Sequence, residues 1–153
     1  MFYGFDLGAN CGFAVLDSEG SRVVSGTWKL GKRRPESIER FYQKLTALLL
    51  EYPPTAIGYE KVNFFQRGSK AAHAYGTYEG VLWVAARNLL GDEAVLAMFT
   101  VGGIKKLATG YGKAEKEEME VAAMTRWAYI PDDDNEADAL WCAECTRREQ
   151  LGL

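Results

Sequence analysis

Phe2-Tyr3-Gly4-Phe5-Asp6-Leu7, then Gly8-Ala9-Asn10-Cys11-Gly12, then Phe13-Ala14-Val15-Leu16 decide how this chain folds. The first segment reads as a short apolar strand closed by an acid, the second as a glycine-bounded turn, and the third as a second strand. Asp17-Ser18-Glu19-Gly20 punctuates another hairpin, and Arg22 to Leu30 alternates well enough for a third strand. Three strands joined by tight turns form an antiparallel meander.

The order of elements changes after the basic loop Gly31-Lys32-Arg33-Arg34. Pro35 suits the first turn of a helix, and Ile38, Phe41, Tyr42, Leu45, Leu48, Leu49 and Tyr52 follow the spacing of one helical face. Pro53-Pro54 stops that helix, and Thr55 to Glu60 is a fourth strand, again closed by an acid. A polar and aromatic loop, Lys61 to Gly68, leads into a long helical stretch from Ser69 to Leu90. Ala94 to Phe99 is a fifth strand, Val101 to Ala108 a short helix, Lys113 to Ala128 a helix by propensity, and Glu136 to Gln150 the last helix. A meander followed by alternating helices and strands predicts an α/β layer fold with a mixed sheet.

At 153 residues the chain is expected to form one domain, with no linker or repeat to divide it. Apolar residues at 48% and charged residues at 25% exclude a disordered chain. The net charge of −3 gives no global attraction to nucleic acid, so any such binding rests on local basic patches. Three cysteines, an odd number, argue against a disulfide scaffold and for a reducing, cytoplasmic compartment. The opening residues lack the pattern of a signal peptide, and no stretch approaches the roughly 20 apolar residues of a membrane span.

Three acids stand where chemistry is expected. Asp6 ends the first strand, Glu60 ends the fourth, and Asp138 lies in the first turn of the last helix. Strand interiors favour apolar and β-branched residues, so an acid there needs a reason. If the first and fourth strands are neighbours, Asp6 and Glu60 share one sheet edge, and a helix packed over it completes a carboxylate cluster. Such a cluster suits Mg²⁺ or Mn²⁺, and a pair of ions roughly 3.5–4 Å apart suits phosphodiester cleavage. Simpler readings stand beside this one. Asp6 also fits a turn cap, and Asn135 with Asp138 three residues on fits a capping box with Asp in place of Glu.

Gly4-Phe5-Asp6-Leu7-Gly8 with Gly12-Phe13-Ala14, Tyr59-Glu60-Lys61-Val62, Ala114-Glu115-Lys116 and Glu136-Ala137-Asp138-Ala139-Leu140 occur in an order and spacing that resembles the RuvC family of Holliday junction resolvases, within the RNase H-like superfamily. The resemblance spans residues 2 to 146, and the short length and diverged loops are similar to a bacteriophage or prophage branch. It implies an RNase H-like fold, a five-stranded mixed sheet flanked by helices. It also implies a homodimer that cuts four-way junctions and other branched DNA, with two Mg²⁺ ions per site, replaceable by Mn²⁺, and no nucleotide cofactor or membrane partner. Asp6, Glu60 and Asp138 match the family's acids. The remaining acid falls on Asn135, whose carbonyl oxygen can ligate but carries no charge; Asp134, one residue earlier, is the other candidate. Two family lysines fall on Lys105 and Lys116, as cations beside the scissile phosphate. An aromatic that stacks on opened bases falls on Phe64 or Phe65, with Lys61, Arg67 and Lys70 as phosphate contacts.

Other readings of the same residues are an RNA-processing nuclease similar to the YqgF group, a junction-binding protein that has lost cleavage with its acid at position 135, and a phosphate loop like that of actin-like ATPases. The last needs two such domains. Cys142 and Cys145 lie inside a helix, too few for zinc and misplaced for a redox motif, and His73 reads as a structural histidine.

Overall fold

The computed structural model describes residues 1–61 and 69–153, the side chains of 69–71 excepted. Strands β1 (Phe2–Asp6), β2 (Asn10–Leu16) and β3 (Arg22–Lys29) form the meander, and β4 (Ala56–Lys61) and β5 (Leu96–Thr100) join the same sheet in the order β3-β2-β1-β4-β5. β1 pairs antiparallel with β2 and parallel with β4, and β4 pairs parallel with β5. The helices are α1 (Glu36–Glu51), α2 (Ser69–Leu90), α3 (Val101–Thr109), α4 (Lys116–Trp127) and α5 (Asp134–Leu151). This is the mixed sheet the element order predicts.

The two-residue period of a strand assigns each side chain to a face. Tyr3 and Phe5 of β1, Phe13 and Val15 of β2, and Ile57 and Tyr59 of β4 enter one buried cluster with Phe41 and Leu45 of α1 and Tyr78 and Leu82 of α2. The alternate residues face α5. A β-carbon on Gly4 would lie 2.2 Å from the Ala139 carbonyl oxygen, and one on Gly12 would lie 2.0 Å from that of Asn135. No side chain fits in either gap, so the two glycines let the backbone of α5 rest directly on β1 and β2.

α5 is covered by the sheet on one side and by α3 and α4 on the other, and it buries Ala137, Leu140 and Trp141 with Ile104, Met119 and Ala123. It also buries three charged residues. Arg147 donates to both oxygens of Glu144 at 2.8 and 2.9 Å and to the Ser18 carbonyl at 3.0 Å, so neither charge is left unpaired.

Several boundaries differ from the sequence reading. β2 begins at Asn10, paired with Lys29, so the turn after Asp6 is shorter than Gly8–Gly12. α4 begins at Lys116 rather than Lys113, because Glu115 and Glu118 form its capping box. The cap of α5 is Asp133, not Asn135. Its side chain accepts from the Glu136 N–H, which removes the capping reading of Asn135 with Asp138. Tyr42 is 44% exposed rather than part of the buried face of α1, and His73 is exposed on α2.

Candidate active site

Asp6 follows Phe5 on β1, Glu60 follows Tyr59 on β4, and Phe5 is the register partner of Tyr59. The two acids therefore end neighbouring parallel strands. By alternation with Gly4 and Gly58 both lie on the α5 face. Glu60 is only 6% exposed, and Tyr75 of α2 donates to its backbone carbonyl at 2.8 Å, which ties the end of β4 to α2.

α5 brings the third acid to the same edge. Cys142 of α5 feels the charges of both Asp6 and Glu60, although burial is the main reason its thiol is pushed well up. Asp138 sits one helical turn before Cys142, on the same stripe of the helix. Burial pushes the Asp138 carboxyl up to about 6; Lys105 and Lys116 oppose the rise, and Asp134 and Glu120 add to it. Lys116 is held up chiefly by its hydrogen bond and ion pair with Asp134, and Asp138 and Asp6 also act on it. Lys105 donates to the Ala114 carbonyl at 2.5 Å, bridging α3 to the start of α4. Thus Asp6, Asp138, Lys105 and Lys116 lie within one electrostatic neighbourhood, with Glu60 beside Asp6.

The acidic run before α5 divides its work. Asp133 accepts from Thr27 Oγ1 at 2.6 Å, from the Glu136 N–H at 3.0 Å and from Asn135. Burial raises the Asp133 pKa, but these hydrogen bonds outweigh it and the net shift is downward. Asp134 is engaged by Lys116. Asn135 stands in the first turn directly over Gly12, the register partner of Asp6.

Lys61 ends β4 and is exposed. Phe64, Phe65 and Arg67 lie outside the described residues, as does the side chain of Lys70, whose backbone is in the first turn of α2. The sequence reading missed Glu136, Ser25 and Thr27. The pattern Asp133-x-x-Glu136, an acid followed three residues later by Glu, is the signal that finds the cap and the first of these. Cys11 and Cys142 are buried free thiols, and burial pushes that of Cys145 up to about 12, so the cysteines are unreactive.

The family model for crossover junction endodeoxyribonuclease RuvC matches residues 2–146. The chain belongs to the RuvC family. RuvC of Desulforamulus reducens is 30% identical, with 95% of this chain and 91% of that protein covered. RuvC of Syntrophomonas wolfei is 31% identical, with 93% and 85% covered. The fold of Thermus thermophilus RuvC superposes with a TM-score of 0.78 at 22% identity, covering 98% of this chain and 95% of that one. The same protein solved in complex with Holliday junction substrate gives 0.78 at 20% identity. RuvC membership makes this chain a crossover junction endodeoxyribonuclease, a divalent-metal nuclease. Its residues fit such a cation by chemistry. The candidate donors are all hard oxygens, and Asp138 is buried enough to disfavour its charge without a further positive partner. Among the described residues, no three His, Cys, Asp or Glu side chains are already gathered into a metal-holding group. Among the same residues no helix is long and apolar enough to cross a membrane.

Proposed function

We propose that residues 1–153 act as a single nuclease domain that resolves four-way DNA junctions. Asp6, Glu60, Asp138 and Asn135 hold two Mg²⁺ or Mn²⁺ ions. When bound, those ions supply a hydroxide at neutral pH and neutralise the leaving oxygen. The observation that carries this reading is the convergence of Asp6 and Glu60 at adjacent strand ends with Asp138 and two lysines over the same face. Lys105 and Lys116 oppose the negative charge that grows on the phosphate during displacement. Asn135 contributes a neutral oxygen, so this site carries one negative charge fewer than a four-acid site.

Paired nicks of matching polarity call for a two-fold dimer. The face offered to a second copy is α2. A β-carbon on Gly76 or Gly80 would meet open space, and together with Tyr42, Thr77, Val81 and Val84 they line an apolar recess of about 440 Å³. Trp83 is exposed beside it. Sedimentation at micromolar concentration should give twice the monomer mass, and Gly80→Arg should reduce it to one.

The deciding experiment is cleavage of a mobile four-way junction with and without Mg²⁺, beside single-stranded and structured RNA. Asp6→Asn should abolish cutting and leave junction binding in EDTA intact. A variant that cuts at the normal rate removes Asp6 from the site, and preferential cutting of RNA replaces the junction by an RNA substrate.

A further inference from the structure

Glu136 is fully buried at the start of α5, between Asn135 and Asp138. Each of its carboxylate oxygens is taken. Ser25 Oγ donates to Oε1 at 2.5 Å, and the Asp132 N–H donates to Oε2 at 2.7 Å. Tyr129 also hydrogen-bonds to the same carboxylate. Behind Ser25, Arg22 Nε donates to its hydroxyl at 2.6 Å, and the Arg22 guanidinium lies 3.7 Å from the centre of the Tyr129 ring. Two residues along β3, on the same face, Thr27 clasps Asp133. Ser25 is the register partner of Ala14 and Thr27 that of Gly12, so both hydroxyls project to the α5 face from the outer strand of the sheet.

A fully buried acid stabilises only when its oxygens are satisfied, and a hydrophobic residue of similar volume would serve packing alone as well. This acid ties the one turn that carries Asn135 and precedes Asp138 to β3 and to the loop before α5. We propose that Glu136 is a positioning residue of the nuclease reaction: gripped by Ser25, Tyr129 and the Asp132 N–H, it fixes the first turn of α5 against β3, so that Asn135 and Asp138 are set for the metal ions before these arrive. The proposal rests on the metal site given under Proposed function.

Glu136→Gln keeps the shape but turns one acceptor into a donor, so at least one of the three contacts to the carboxylate must reverse or be lost. Residues that orient metal ligands typically cost about 10–100-fold in metal affinity when changed. The half-saturating Mg²⁺ concentration for junction cleavage should therefore rise by about 10-fold or more, with the rate at saturating Mg²⁺ largely kept. Ser25→Ala should shift it in the same direction by less. The upward shift in melting temperature that Mg²⁺ gives the protein without DNA should move to higher Mg²⁺ in both variants. Glu144→Gln breaks an equally buried ion pair far along α5. It should lower the melting temperature and leave the Mg²⁺ response alone. Unchanged Mg²⁺ midpoints in the Glu136 and Ser25 variants, or an equal shift in the Glu144 variant, overturn the proposal. If Glu136→Gln gives no cooperative melt, Ser25→Ala decides. Wild-type protein that cuts no junction overturns the function, while the Mg²⁺ melting midpoints still decide the positioning role.

Discussion

Asp138→Asn should make the metal-free protein more stable while removing its activity. The carboxyl is raised from 3.8 to about 6, mainly by burial, so its charged form is disfavoured in the fold. A shift of that size corresponds to about 3 kcal/mol at most. The sign follows from proton binding. Below 3.8 the group is neutral in both states and costs nothing; between 3.8 and about 6 the folded state alone holds the proton; above about 6 the full cost is present. Stability of the wild type in EDTA should therefore fall as pH climbs through that window, and the Asn variant should lack this part of the slope. The amide retains a hydrogen-bonding cost, so a net gain of about 2 kcal/mol is expected at neutral pH, or roughly 4–8 °C in melting temperature for a domain of this size. Saturating Mg²⁺ should narrow the gap, because a cation relieves the wild-type penalty and the amide gains less. Calorimetric melts of both proteins in EDTA at the two ends of the window, and again in Mg²⁺, measure each part. An Asn variant less stable than wild type at neutral pH in EDTA would refute the claim that Asp138 is held in a site short of positive charge.

Other outcomes follow from the same geometry. Asn135→Asp should fold normally, since an acid in the first turn of a helix is favourable, and should lower the half-saturating Mg²⁺ concentration for cleavage; a metal titration checks it. Gly12→Ala places a methyl against the Asn135 carbonyl at 2.0 Å, so it should cost about 1–3 kcal/mol in denaturant melts and cut activity more than Gly76→Ala, which meets open space. Phe64→Ala should reduce junction opening, read by 2-aminopurine fluorescence at the crossover, with a loss of about 1–3 kcal/mol per unstacked base. Phe65→Ala is the comparison, and normal fluorescence and cleavage in both exclude a stacking role.

The meander and the two strand-end acids were legible because an acid closing an apolar run has no reason of its own to be there, whereas the pairing of the first strand with the fourth stood only as a condition until the sheet order supplied it. The role of α5 was less visible. A helix containing Glu136, Glu144 and Arg147 reads as partly solvated, yet all three are buried, because each acid finds donors that lie far away in sequence or one turn along. Local spacing also misplaced the cap. Asn135 and Asp138 compete with Asp133 and Glu136 for the same pattern, and Thr27 of a distant strand favours Asp133. Tyr42 has the right helical phase to be buried, but α2 presents glycines opposite it, and a recess remains there instead of a contact.

The direct seating of α5 on β1 has a consequence for how the enzyme comes into being. Thr146 donates to the Tyr3 carbonyl at 2.9 Å across 143 positions of sequence. Contacts this distant along a chain close slowly, since the intervening loop entropy is met before any of their energy is gained. Asp6 is synthesised well before Asp138, and the helix that carries Asp138 follows every strand of the sheet it covers. A chain that has not yet reached α5 holds Asp6 and Glu60 at neighbouring strand ends, on a sheet face that this helix has still to cover, and lacks Asp138.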